Sequence, residues 1–200
     1  MRNASALLTL TLLFGGASLA PAQADTPPTN SPAAKQEAVR LNALPPVTPR
    51  GKARVDHSGR KEKGKASYYA SHFTGRKMAD GRKMNPHDNV AASKTLPLGS
   101  TARVTNLETG ESATVKVQDR GPFVAGRVVD LSPKVANELD IKKQGVASVE
   151  VKPITVPQPD GSVKLGAGAA EASPKELETA IETTRALMRT DQGQRTASAR

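Results

Sequence analysis

The chain has 200 residues, a formal net charge of +10, no cysteine and only 2% aromatic residues. This length fits one domain plus tails, and the 15 prolines and 16 glycines indicate that much of the chain lies outside a packed core. The lack of cysteine excludes disulfides, thiolate metal sites and a cysteine nucleophile. The positive charge favours polyanions or acidic surfaces as partners, so nucleic acid, anionic lipid and anionic cell-wall polymer are all candidates at this level.

The N-terminus has the pattern of a secretory signal peptide. Met1-Arg2 supplies a positive start, residues 4–19 form an apolar run, and Ala22-Gln23-Ala24 is a small-residue cleavage site, which predicts a signal peptide over residues 1–24. A membrane anchor is the alternative, although the run is short for a span. We therefore expect an exported, periplasmic protein without stable membrane insertion. Without cysteine, it is not expected to be a lipoprotein.

Residues 25–63 show no sustained hydrophobic period and contain several proline pairs and Ser-Pro or Thr-Pro steps. This composition predicts a disordered, basic, proline-rich linker. The charged cluster Arg60-Lys61-Glu62-Lys63 leaves open the alternative that the linker holds an anionic surface.

Residues 64–155 contain short alternating segments of the kind that form β-strands. Ser132-Pro133 then predicts the start of a short helix, with an N-cap serine and proline at the first helical position. This helix is expected to stop near Asp140 and to bury Val135, Ala136 and Leu139. Six short strands and one small helix predict a mainly β fold, a small closed or nearly closed barrel. The predicted strands are 66–70, 90–92, 101–106, 112–117, 128–131 and 146–154.

Residues 156–200 are predicted to be a flexible tail with one helix at about 174–189. The segment after Pro157 is rich in glycine and alanine, and Ser173-Pro174-Lys175-Glu176 is a capping box. An accessory helix and a partner-binding helix are both open interpretations. The apolar face at helical spacing would consist of Leu177, Ile181, Thr184 and Met188.

Most common catalytic constellations are missing from the sequence. The three histidines, His57, His72 and His87, lack metal-ligand spacing, so a zinc site would need His72 and His87 to meet at a carboxylate. No glycine-rich phosphate loop precedes a helix, and Ser67 and Ser93 have no recognisable base. The sequence therefore predicts neither a metal nor a cofactor.

Two aspartates remain as candidate catalytic residues. Asp119 follows a predicted strand, just before the turn Arg120-Gly121-Pro122, and Asp130 lies inside an apolar run, where a charge is costly unless paired or functional. On adjacent strands of a small barrel the two would converge on one groove, as acid catalysis at a glycosidic bond requires. Structural roles stay open for both. Asp119 could cap its own turn, and Asp130 could be satisfied by neighbouring amides.

Six segments in order resemble the motifs of the RlpA family (rare lipoprotein A), which are septal lytic transglycosylases. The resemblance covers residues 64–154 and implies a six-stranded double-psi β-barrel, the fold shared with expansins and barwin-like proteins. It also implies cleavage of peptidoglycan glycan strands, preferably strands stripped of stem peptides. The segments are GKASYY at 64–69, FTGRKMADG at 73–81, AASKTLPLG at 91–99, RVTNL at 103–107, DRGPF at 119–123 and GRVVDLS at 126–132.

The resemblance further implies a reaction and roles for individual residues. In a lytic transglycosylase the sugar's own 6-hydroxyl attacks the anomeric carbon, so one acid/base group can suffice. Asp119 matches a retained family aspartate and is the leading candidate for that group, with Asp130 second. The residues expected to bind substrate along the groove are Tyr68, Tyr69, Arg120, Arg82 and Ser93.

Three positions depart from the family pattern. Arg82, Asn85 and Ser93 stand where the family usually has Glu, Asp and His. The alternative function is therefore a non-catalytic, expansin-like barrel that binds peptidoglycan. The expected partners are peptidoglycan glycan strands and the septal cell-division machinery, and the protein is expected to be a monomer. Nucleic acid is not an expected partner, because the protein is exported and has few aromatic residues for stacking.

Overall fold

The computed structural model describes residues 54–198 together with the single positions Pro32 and Gln36, and it describes side chains up to residue 189. The predicted signal peptide and most of the predicted linker lie outside the described residues. The predicted barrel and the predicted C-terminal helix lie within them.

Six strands close into a barrel in which each strand is hydrogen-bonded to two neighbours. Around the barrel the order is β1-β5-β2-β4-β3-β6, and β6 pairs back with β1. This confirms the predicted mainly β, six-stranded barrel. The strands are β1 Glu62–Tyr68, β2 Val90–Ser93, β3 Thr101–Asn106, β4 Ser112–Asp119, β5 Arg127–Leu131 and β6 Ala147–Pro157.

Two of the pairings are parallel, β1 with β5 and β2 with β4. Parallel neighbours need crossover connections, and two interlocked crossovers give the double-psi arrangement. The observed strand order differs from the prediction at the two aspartates. β4 and β5, which carry Asp119 and Asp130, are not adjacent, because β2 lies between them and pairs with both.

The barrel interior is filled by aliphatic side chains from alternate strand positions, as the predicted alternation requires. Helix α1 (Pro133–Glu138) begins as predicted, with the Ser132 hydroxyl accepting a hydrogen bond from the Val135 N–H. The three side chains predicted to be buried are buried. The interior includes Val104, Val115, Val117, Val129, Leu131, Val135, Ala136, Leu139 and Val149.

Two further elements follow the barrel. Strand β7 (Val163–Leu165) pairs with the end of β6, and helix α2 (Pro174–Ser198) packs against β6 and β3. The helix predicted at about 174–189 is present and runs to residue 198. The buried face of this helix is offset from the predicted face. Thr184 belongs to both faces, but the other buried side chains are Ala180 and Leu187. The Thr184 hydroxyl lies 2.7 Å from the Thr155 hydroxyl, a polar contact that a search for apolar spacing does not detect.

Glu176, in the first turn of α2, ties this helix to the barrel. Its carboxylate accepts hydrogen bonds from Arg103 Nη2 at 2.6 Å and from the Thr114 hydroxyl at 2.7 Å. Burial raises the pKa of Glu176, but the hydrogen bonds from Thr114 and Arg103 and the Arg103 charge outweigh it and hold the pKa below its ordinary value. A carboxyl with a depressed folded-state pKa adds stability above the unfolded pKa, and this stability is lost as the pH falls through the folded pKa.

We therefore expect Glu176→Gln to lower the free energy of unfolding by about 1 kcal/mol at neutral pH. The difference from wild type should shrink in strongly acidic buffer, where the wild-type carboxyl is also protonated. Chemical denaturation at both pH values measures it, with Glu178→Gln, an exposed position on the same helix, as the control. A loss of equal size at both pH values would contradict the prediction.

Candidate functional site

Asp119 and Asp130 lie in one row that crosses four strands. Ala92 of β2 is paired with Asp119 of β4 on one side and with Asp130 of β5 on the other, and Asp130 is paired with Ser67 of β1. Neighbouring strands lie about 4.8 Å apart, so the two aspartate Cα atoms are about 10 Å apart. The structure thus brings the two carboxylates to one face even though their strands are not neighbours.

This row lies on the outer wall of the barrel, beneath the loop 70–89. Ala92 belongs to a small second core, separate from the barrel interior, to which the loop contributes Met78 and Met84. The loop is also held by its backbone, because the Asp80 N–H donates to the Gln118 carbonyl at 3.0 Å. The loop therefore keeps a fixed position against the end of β4.

Asp119 accepts three hydrogen bonds. The Tyr69 hydroxyl donates to Oδ2 at 2.8 Å, and the backbone N–H groups of Ala79 and Arg120 donate to Oδ1 at 2.9 and 2.8 Å. The bond from Arg120 is the turn cap that the sequence left open for this residue. The other two bonds come from β1 and the loop, so Asp119 joins three parts of the site.

Tyr69 is a side-chain hydrogen-bond donor to Asp119. Burial raises the pKa of Tyr69 far above its ordinary value, and the Asp119 charge, the hydrogen bond to Asp119 and the Asp130 charge raise it further. The phenol therefore keeps its proton. Phe73 packs edge-on against the ring, with 5.5 Å between ring centroids, which fixes its orientation.

Asp130 is held by a hydroxyl and a guanidinium. The Ser67 hydroxyl donates to Oδ1 at 2.6 Å, and Arg127 Nε lies 3.4 Å from the same oxygen. The structural role that the sequence left open for Asp130 is thus filled by these two side chains. Sequence reasoning missed both as partners, because a hydroxyl on β1 and an arginine at the start of β5 carry no local signal of pairing.

An open cleft of about 720 Å³ lies beside the row, and we call it the tyrosine groove. Both tyrosines predicted to bind substrate line it, and so do the two partners of Asp130. The Tyr68 hydroxyl lies 3.4 Å from the Lys142 carbonyl. The tyrosine groove is lined by Ser67, Tyr68, Tyr69, Ala70, Ser71, Thr74, Pro86, Arg127, Pro133, Gly145 and Val146.

Arg120 and Ser93 lie outside this lining. The Arg120 guanidinium donates to the carbonyls of Ser93 and Leu96 and lines a different pocket, together with Asp80. Burial lowers the pKa of Arg120, against the opposing effect of the Asp119 charge. The Ser93 side chain is 2% exposed, and its hydroxyl accepts hydrogen bonds from the Thr95 and Leu96 N–H groups. Ser93 therefore caps a turn.

Arg82 lies in the loop and forms an ion pair with Asp80, with 3.7 Å between Nε and Oδ2. It lines a third pocket, together with Lys116 and Gln118 of β4. The structure thus gathers the two aspartates and the two tyrosines and places Arg82, Ser93 and Arg120 elsewhere.

The described part of the chain has neither a metal-binding cluster nor a membrane-spanning helix. Within residues 54–198, no three His, Asp or Glu side chains are placed to hold a metal ion. No helix in the same residues is both long and apolar enough to cross a membrane.

The barrel matches known proteins along nearly its whole length. Residues 61–151 match the family model described as lytic transglycolase. The endolytic peptidoglycan transglycosylase RlpA of Vibrio cholerae is 42% identical over 98 residues. The probable endolytic peptidoglycan transglycosylase RlpA of Synechocystis is 45% identical over 86 residues. Over these residues the barrel is similar to RlpA transglycosylases. Both the row of paired strands and the tyrosine groove lie within the RlpA match.

The chain spans well under half the length of the curated RlpA relatives that it matches. The Vibrio cholerae alignment covers 49% of this chain and 37% of that protein, and the Synechocystis alignment covers 43% and 27%. Among solved structures, the Streptomyces papain inhibitor aligns with a TM-score of 0.39 and 25% identity, over 47% of this chain and 94% of that chain.

Proposed function

We propose that this protein is an endolytic lytic transglycosylase that cleaves the glycan strands of peptidoglycan. The observation that carries the proposal is Asp119, a half-buried carboxylate that the RlpA-like barrel holds through Tyr69, beside an open groove. The four aromatic side chains of the described chain lie close to it in sequence or in space. Tyr68 and Tyr69 line the groove, Phe73 packs on Tyr69, and Phe123 is 82% exposed just after Asp119. Aromatic faces pack well on the apolar faces of sugar rings.

The chemistry needs one carboxyl group that gives and then takes a proton. In its acid form Asp119 donates a proton to the bridging oxygen as the bond from the anomeric carbon to that oxygen breaks. The 6-hydroxyl of the same sugar bonds to the anomeric carbon, and its proton passes to the Asp119 carboxylate. The acid is thereby restored, no water is consumed, and the product has an anhydro end.

The hydrogen bonds of Asp119 indicate where the proton sits in the acid form. Two of its three donors are backbone N–H groups, which are fixed, and both bind Oδ1. The third is the Tyr69 hydroxyl on Oδ2, which can rotate about its C–O bond. Oδ2 is therefore the oxygen that carries the proton once the Tyr69 hydroxyl turns away. Asp130 contributes a second carboxylate to the row, with its charge partly offset by Arg127.

We further propose the cellular setting that the sequence suggests. The signal-peptide pattern of residues 1–24 supports action in the periplasm. The family resemblance of residues 64–154 motivates the further proposal of a substrate of strands without stem peptides and a role in cell-wall remodelling or septation, with septal proteins as partners. The protein would act as a monomer, through a catalytic barrel at residues 64–155.

A non-catalytic glycan-binding barrel is the second candidate, and two of the departures from the family pattern favour it. Ser93 is occupied as a turn cap. Asn85 accepts a hydrogen bond from the His87 N–H at 3.1 Å. Both residues have local structural roles, so these positions lack the acid and the imidazole that relatives usually carry there.

Purified protein incubated with sacculi freed of stem peptides tests both candidates. The enzyme releases glycan fragments with anhydro ends, which mass spectrometry identifies, whereas the binding barrel is pulled down with the sacculi and releases none. Absence of anhydro products from a folded, sacculus-bound protein would exclude the transglycosylase.

A further inference from the structure

A basic pocket lies next to Asp119 on the same outer wall of the barrel. Its volume is about 490 Å³, and its side chains come from the loop before β2, from β4 and from α1. Gln118, the residue before Asp119, forms part of its wall. The basic pocket is lined by Arg82, Lys83, His87, Asp88, Asn89, Val90, Thr114, Lys116, Gln118 and Lys134.

The lining carries four lysine and arginine side chains against one carboxylate, Asp88. Arg82 forms an ion pair with Asp80 at 3.7 Å, and Lys134 forms one with Glu138 at 3.9 Å, so these two cations are partly neutralised. Lys83 and Lys116 form no ion pair with any residue in the described part of the chain, and both are exposed. The pocket therefore presents positive charge that the protein itself does not neutralise.

The backbones that carry these two lysines are held in place. Lys116 lies inside β4 and is paired with Val90 of β2 and Thr101 of β3. Lys83 forms a β-bridge with Lys77 and is followed by Met84, whose side chain is 3% exposed in the second core. The backbones from which these two cations project are therefore set before an anion binds, and only the side chains remain to be ordered.

We propose that the basic pocket binds a carboxylate of the glycan strand, the free lactyl carboxylate of a muramic acid residue. This rests on the proposed substrate. Lys116 precedes Asp119 by three residues in the same strand, which places their Cα atoms about 10 Å apart. A glycan strand that is cut at Asp119 therefore continues over the pocket. A stem peptide converts the lactyl carboxylate to an amide and removes its charge, so the pocket selects strands without stem peptides.

The pocket also gives Arg82 a function in this chain. The family resemblance puts a glutamate at this position, and a carboxylate there would repel the anion that Arg82 attracts. Arg82 therefore adds to the positive charge that Lys83 and Lys116 give the pocket.

Fluorescence anisotropy with labelled glycan oligomers tests the proposal. The probes are peptide-free strands, the same strands with their carboxyl groups amidated, and strands with stem peptides. Wild-type protein should bind peptide-free strands about tenfold more tightly than either of the other two, as expected for a charge-assisted contact. The variant Lys83→Gln with Lys116→Gln should lose that preference and leave binding of amidated strands unchanged. The control Lys143→Gln with Lys164→Gln removes the same charge from exposed positions elsewhere and should keep the preference.

Equal binding of peptide-free and amidated strands by wild-type protein would overturn the proposal. The proposal would also be overturned if Lys143→Gln with Lys164→Gln lost the preference as fully as Lys83→Gln with Lys116→Gln, because the loss would then come from net charge. Inorganic phosphate is the competitor that distinguishes a phosphate site from a carboxylate site. If phosphate displaces the labelled glycan strand at the same concentration as free muramic acid does, the pocket is assigned to phosphate instead.

This binding experiment is independent of turnover and can be run on Asp119→Asn protein. In wild-type protein, carboxylate-dependent binding without release of anhydro products removes the proposed enzymatic function and keeps the pocket. Wild-type turnover together with carboxylate-independent binding removes the pocket and keeps the enzymatic function.

Discussion

Asp119→Asn should reduce the release of anhydro-ended glycan by about 100- to 10,000-fold and leave strand binding intact. The loss is of the size that general acid–base groups contribute to enzymatic rates. Asparagine has the same shape as aspartate, and its amide oxygen can still accept the hydrogen bonds that the Ala79 and Arg120 N–H groups now give to Asp119. The substitution therefore removes the exchangeable proton and preserves the turn. Product release from peptide-free sacculi and anisotropy with labelled strands measure the two properties separately.

Asp140→Asn is the matched control for this change. Asp140 is exposed and far along the chain from the row, and its backbone has φ 51°, a conformation that asparagine also tolerates. It should retain wild-type turnover, and thermal unfolding should show both variants folded. If Asp119→Asn keeps turnover within a few fold of wild type, Asp119 is not the acid. If wild-type protein binds strands but has no turnover for Asp119→Asn to lose, the barrel is the binding module.

Leu131→Ala should lower the free energy of unfolding by about 2–5 kcal/mol, the range for buried leucines truncated in a core. Leu131 is fully buried in the barrel interior, at the end of β5, and is paired with Tyr68 of β1 and Ala91 of β2. Truncation leaves a cavity between strands that cannot collapse, because they close a ring. Since Asp130 is the preceding residue, the row loses rigidity together with the fold.

The matched control is Leu165→Ala in β7, where the same side chain is 49% exposed. It should change the free energy of unfolding by no more than about 0.5 kcal/mol. Chemical denaturation with an unchanged slope for each protein compares the two. A loss at Leu131 as small as that at Leu165 would mean that the barrel interior repacks freely.

The three positions that depart from the family pattern have different structural roles. Ser93 and Asn85 serve local turns, and Arg82 joins the basic pocket. Of the three, only Arg82 adds a charge, and it does so in the basic pocket. Under the proposed function, Asp119 and Tyr69 carry the catalysis without the acidic and imidazole groups that the family resemblance implies.

The sequence by itself determined the elements and their chemistry. Alternating apolar residues gave the strands, Ser132-Pro133 gave the start of α1, and the charge inside the apolar run at 128–131 indicated that Asp130 needs a partner. The motifs also indicated the similarity to RlpA transglycosylases and singled out Asp119 and Tyr69, which prove to be hydrogen-bonded to each other. These features are local, because each depends on residues a few positions apart.

The tertiary structure alone decided what lies beside what. The two parallel crossovers insert β2 between β4 and β5, and no local period encodes that order. The same holds for the contacts of Ser67 and Arg127 with Asp130 and for the face of α2 set by Thr184. The basic pocket assembles from lysines of three elements that are distant in sequence. Pairing between distant strands depends on how the whole barrel closes, so only the closed barrel shows which side chains meet.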